Sequence, residues 1–126
     1  MKPGFWKQIT SYTPGRTYVD LEWTSDSAGG VPTTLTEKSG VKSVVHGGTG
    51  EYAVNLDETP YHLTNIIESI EQASYSKTGA CKVRLVDTDL DEKLINLLVV
   101  DGDGDAVDPT TNDIIRVTFV FRLFQN

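Results

Sequence analysis

Asp101-Gly102-Asp103-Gly104-Asp105 is the stretch of this 126-residue chain in which residue type and spacing point most directly to chemistry. Carboxylates at alternate positions of a glycine-rich loop can converge on one hard cation, and calcium, which takes roughly six to eight oxygens, is the ion such a loop suits. Asp101, Asp103 and Asp105 are therefore the candidate metal ligands, with Ca2+ as the candidate ion. The loop departs from an EF-hand where that motif is most demanding. Ala106 stands where a glycine makes the sharp turn, and Asn112 where a glutamate supplies two oxygens. The simpler reading is a solvated loop whose charges keep a sheet edge from pairing with a stray strand. A second acidic set, Asp87, Asp89, Asp91 and Glu92, reads the same way.

Other chemistry is harder to assemble. His46 and His62 are the only histidines, and neither has a metal-ligand spacing or a serine-nucleophile motif beside it. Both read as structural or solvated, with His46 expected to be exposed ahead of a turn. Gly47-Gly48-Thr49-Gly50 lacks the lysine and the following helix of a phosphate-binding loop, so it reads as a hairpin reversal. Carboxylates for glycoside hydrolysis are plentiful, but nothing sets one pair apart. Cys81 is the single cysteine, which excludes an intrachain disulfide and suits a small buried apolar residue on a strand. The chain is expected not to be an enzyme.

Eleven Lys and Arg against eighteen Asp and Glu give a formal charge of −7. Such a field repels phosphate backbones and anionic lipid, so neither nucleic acid nor a membrane is an expected partner. Met1 to Thr10 holds no apolar run of signal-peptide length, and no stretch has the length of a membrane-spanning helix.

The elements that must position these residues are strands. Thr17 to Thr24 alternates, with Val19 and Leu21 set between Asp20 and Glu22, and ends in the turn cluster Ser25 to Gly30. Val31 to Thr36 predicts a short polar strand and Glu37 to Gly40 a turn. Val41, Ser43 and Val45 are then expected on the inner face, followed across the glycine-rich reversal by Tyr52, Val54 and Leu56. Tyr61 to Ile70 fits a helix or a bulged strand, and its β-branched residues favour the strand. Cys81, Val83 and Leu85 are expected inside. Lys93 to Val100 is apolar enough for a strand covered on both faces. Ile115, Val117, Phe119, Phe121 and Leu123 define the last inner face, with Ile114, Arg116, Thr118, Val120 and Arg122 outward. Several short strands separated by Gly, Asp, Asn and Pro clusters predict an all-β, antiparallel, jelly-roll-like β-sandwich over residues 17–126. Residues 1–16, with two prolines, two glycines, Phe5 and Trp6, predict an extended N-terminal arm.

Gly40-Val41-Lys42-Ser43-Val44, followed by Gly48-Thr49-Gly50-Glu51-Tyr52-Ala53-Val54-Asn55-Leu56, resembles the opening of small β-sandwich domains in tailed-phage virion proteins: capsid decoration (cement) proteins, head fibres and tail-fibre tips. Asp103 to Pro109 ahead of the Ile115–Phe121 strand is similar to the loop before the last strand in that group. The likeness spans roughly residues 40–126 and consists of turns and strand alternations. It implies a decoration protein on the outer surface of a capsid, assembled in the host cytoplasm, binding the major capsid protein and itself as a homotrimer. The alternative it leaves open is a head-fibre or tail-fibre-tip module that binds a host receptor or glycan. Phe5, Trp6 and Ile9 in the arm, together with Arg116 and Arg122 on the last outward face, are the candidate partner contacts, since aromatics and arginine concentrate at interface centres.

Overall fold

The computed structural model describes residues 16–32, 34–38, 40–59, 62–73 and 81–122. Arg16, counted to the arm, is strand, while residues 1–15, with Phe5, Trp6 and Ile9, and also Leu123 lie outside the described residues. Within them the chain forms eight strands: β1 (Arg16–Thr24), β2 (Glu37–Lys38), β3 (Val41–His46), β4 (Glu51–Leu56), β5 (His62–Glu71), β6 (Lys82–Asp89), β7 (Leu94–Val100) and β8 (Ile114–Arg122). They make two four-stranded antiparallel sheets, ordered β2-β1-β8-β5 and β3-β4-β7-β6, and the fold is a β-sandwich. The pairs β1–β8 and β4–β7 nest one inside the other, so the strands that close the core come from opposite ends of the chain.

Strict alternation explains the core. Val19, Leu21 and Trp23 of β1 and Ile115, Val117, Phe119 and Phe121 of β8 face Tyr52, Val54 and Leu56 of β4 and Ile95, Leu97 and Val99 of β7, all of them buried. Each strand offers one apolar face, and face-to-face packing of two such sheets removes both from water. Phe119 and Phe121 lie 6.1 Å apart, ring centre to ring centre, and Trp23 lies 5.2 Å from Tyr52, so aromatics span the layer between the sheets. Cys81 and Val83 are buried, as expected.

Four expectations change. The polar stretch before Gly40 pairs with β1 only at Glu37 and Lys38, where a turn was expected, and residues 31–32 and 34–36 are not strand. A β-bulge between Val41 and Ser43 shifts the alternation of β3, so Val44 packs on the core and Val45 is 54% exposed. In β6 Leu85 keeps its pairing with buried Leu97 but is 38% exposed on this edge strand, and Val86 is 58% exposed beside a second bulge between Leu85 and Asp87. Finally β7 is covered on both faces only at Val100, which the bridge to Ala106 buries. Leu94, Asn96 and Leu98 remain partly exposed on its outer side.

Where the two sheets meet at β5 and β6, side chains finish the edge of β6. The Val83 amide donates to Glu68 Oε1 (3.1 Å) and the Cys81 amide to Gln72 Oε1 (3.0 Å). Those edge amides are thereby withheld from a foreign strand.

Candidate functional site

The acidic loop follows β7 directly. The Asp101 amide donates to the Asp105 carbonyl (2.9 Å), and Asp101 Oδ1 accepts from the amides of Asp103 (2.9 Å) and Asp105 (3.1 Å). The loop is thus a tight reversal organised by its own first carboxylate, the arrangement by which aspartates favour turns. Asp101, Asp103 and Asp105 are brought together, with one carboxylate oxygen from each within 4.8 Å of the others. Three ligands are about half of what calcium takes, and one of them already serves the backbone. The second acidic set is also occupied: Asp89 accepts from the Glu92 amide (3.3 Å), and Asp87 Oδ1 accepts from Asn96 Nδ2 (2.6 Å).

At the same end of the sandwich a polar cluster forms that spacing along the chain does not suggest. His46 Nε2 lies 2.8 Å from Asp108 Oδ1, which also accepts from the Gly50 amide at 2.7 Å. The His46 ring stacks at 5.1 Å on Tyr52, whose hydroxyl donates to the Gly29 carbonyl (3.0 Å). His46 is half-buried, not exposed as expected. The residues share one consequence: they fasten the loop after β1, the β3–β4 hairpin and the loop before β8 to one another. A second buried knot sits nearby in sequence. Asp113, 1% exposed, accepts from the amides of Ala73 (2.8 Å) and Thr110 (2.9 Å) and from Thr110 Oγ1 (3.1 Å).

Burial, and after it the Asp108 carboxylate, push the Tyr52 hydroxyl well above its ordinary value of 10.0. The phenol therefore stays protonated and keeps donating to Gly29. In the unfolded chain it ionises near pH 10. The raised folded value makes its contribution complete below that pH and lost as pH rises toward the folded value, at about 1.4 kcal/mol per unit. Urea unfolding between about pH 9 and about pH 12 is expected to show this fall, and Tyr52→Phe to flatten it. An equal slope in both proteins would mean that the hydroxyl is not buried.

Arg116 lies on the outer face of β8, as expected, but its guanidinium is engaged within the chain, to Glu71 (3.1 Å) and Glu22 (3.3 Å). Glu71, and then Glu22, hold it charged. Arg122 is outward too, in register with Arg16 and His62.

The outer face of β3-β4-β7-β6 carries an exposed apolar surface. Val45, Ala53, Val86 and Leu98 line a shallow groove of about 390 Å³ there, edged by Glu51 and Asn96. Both edge strands of this sheet carry a bulge and an exposed valine. Bulges re-aim side chains at sheet edges; the β3 bulge turns Val45 outward to join Val86, which alternation from buried Val83 already places outside. Comparisons of the chain with known protein families, with curated proteins and with solved structures find no match.

Proposed function

We propose that this chain is a structural protein that acts by docking onto other proteins, and that it decorates the outer surface of a tailed-phage capsid, binding the major capsid protein and bracing the shell. The observation that carries the docking reading is the pair of edge strands that leave Val45 and Val86 more than half exposed beside Ala53 and Leu98. Apolar patches on a small soluble domain mark protein contacts. The capsid as the target rests on the resemblance of residues 40–126 to virion sandwich domains.

In this role the protein adds contacts to a shell already assembled, so that spreading of the capsid must break them as well. The arm, residues 1–16 with Phe5, Trp6 and Ile9, is the proposed grip on the shell. More than one copy held together would make individually modest contacts durable through effective concentration. Co-sedimentation with capsids that lack the protein tests this. The full chain is expected to pellet with the shells and a chain without residues 1–16 to stay in solution. Pelleting of neither would sink the capsid reading; pelleting of both would remove only the arm's role.

A further inference from the structure

We propose that strands β4, β7 and β6, on the outer face of the β3-β4-β7-β6 sheet, are covered by the same strands of a second copy, about a two-fold axis running along β7. The inference rests on reading that face as a docking surface, and it names the occupant.

The strand register sets out the argument. Across one row of the face stand Glu51 on β4, Leu98 on β7 and Arg84 on β6; across the next stand Val45, Ala53, Asn96 and Asp87, with Val86 at the bulge beside them. Acid and base therefore sit on opposite sides of Leu98, each one strand away, about 4.8 Å. When two copies meet face to face, their two-fold axis lies in the plane between them. An axis along β7 exchanges β4 with β6. Glu51 of each copy then faces Arg84 of the other, Leu98 meets Leu98 on the axis, and Val86 comes over Ala53, while β3 with Val45 stays at the rim of the contact. Asp87 falls over Ala53 and Asp89 over Asn55, so no like charges are apposed. Self-complementarity of this kind is what an isologous contact requires.

Arg84 strengthens the case. It is exposed on the edge strand and has no hydrogen bond or ion pair among the described residues, unlike Arg116 on the opposite sheet. The three overlapping strands and three residue rows amount to roughly 300 Å² on each copy, less than half the usual 800 Å² per partner. The dimer is thus weak, reversible and dependent on concentration, and the net charge of −7 on each chain makes it tighten as salt screens the overall repulsion. The two-fold read here takes the place of the three-fold association that the virion resemblance implies.

Sedimentation equilibrium of the full chain up to about 1 mM is expected to show mass rising from 13.8 kDa toward twice that. Arg84→Glu and Glu51→Arg should each weaken association about tenfold or more, because each reversal makes two like-charge contacts per dimer. The double reversal should restore it. Because Glu51 Oε1 also accepts from the Gly48 amide at 3.2 Å, thermal unfolding of each variant accompanies the measurement, and Arg84→Glu alone decides the matter if Glu51→Arg is unfolded. A monomer at every concentration, a trimer, or single reversals without effect would overturn the two-fold contact. Capsid co-sedimentation of monomeric Arg84→Glu separates the two readings. A dimeric wild-type chain that ignores capsids sinks the capsid target and leaves the dimer standing.

Discussion

Replacing Asp113 by alanine is expected to remove about 3–5 kcal/mol of folding stability, because it leaves the donors of Ala73 and Thr110 without their acceptor. The carboxylate is 1% exposed and takes hydrogen bonds from the Ala73 amide just past β5 and from the amide and hydroxyl of Thr110 in the loop before β8. Its own backbone completes the knot: the Ser25 amide, just past β1, donates to the Asp113 carbonyl (2.8 Å), and the Asn112 amide donates to the Ser25 carbonyl (2.8 Å). Hydrogen bonds to a charged group contribute about 1.5–3 kcal/mol each, and a donor stranded out of water costs a similar amount. Asparagine keeps one acceptor oxygen but turns an NH2 toward donors on the other side, so Asp113→Asn should lose about half as much. Urea unfolding of the three proteins checks the order. A loss below about 1 kcal/mol in the alanine variant would mean that water replaces the carboxylate and that the knot does not hold the strand ends.

In β1, β4 and β8, apolar residues recur at every second position, and the inner faces follow directly: Val19, Leu21 and Trp23; Tyr52, Val54 and Leu56; Ile115 through Phe121. Period-two alternation carries that information only while the register is unbroken. A bulge inserts one residue without a mark of its own in composition, so Val45 reads as core while the structure puts it at the surface; Leu85 keeps the inward pairing with Leu97 but lies on an edge strand and is 38% exposed. The bulge is also the reason that the place of Val45 on the docking face was hidden. Asp108 and Asp113 were illegible for another: in a loop rich in Asp, Asn and Thr, a carboxylate that is buried looks like its solvated neighbours. Its partners are brought from far off, His46 being 62 residues from Asp108 and Ala73 being 40 from Asp113. By contrast Asp101 is satisfied by amides two and four residues on, and its loop could be recognised as a turn from local sequence alone.

Gly50→Ala is the second change expected to be severe, at about 3 kcal/mol or more, and Gly104→Ala separates its two causes. Both glycines have positive φ, +71° at Gly50 and +89° at Gly104, where a β-carbon strains the backbone by roughly 1–2 kcal/mol. At Gly104 an added β-carbon would meet nothing within 4 Å, so backbone strain is the whole cost. At Gly50 it would stand 2.6 Å from the Val99 carbonyl oxygen and 3.0 Å from that of Val107. Those oxygens belong to β7 and to the loop returning toward β8, and neither can swing aside as a side-chain tip would. Relief would require the hairpin to lift. Lifting it stretches the bonds that run through the same residue, from the Val99 amide to the Gly50 carbonyl (2.8 Å) and from the Gly50 amide to Asp108 (2.7 Å). Asp108 would then lose its hold on His46 and on the hairpin together. Unfolding free energies of the two variants are therefore expected to differ by at least about 1.5 kcal/mol, with the near-ultraviolet circular dichroism of the Trp23–Tyr52 pair altered in Gly50→Ala alone. Equal losses at the two positions would show that the hairpin accommodates a methyl group, and that the close approach of β4 to β7 is not what fixes this end of the sandwich.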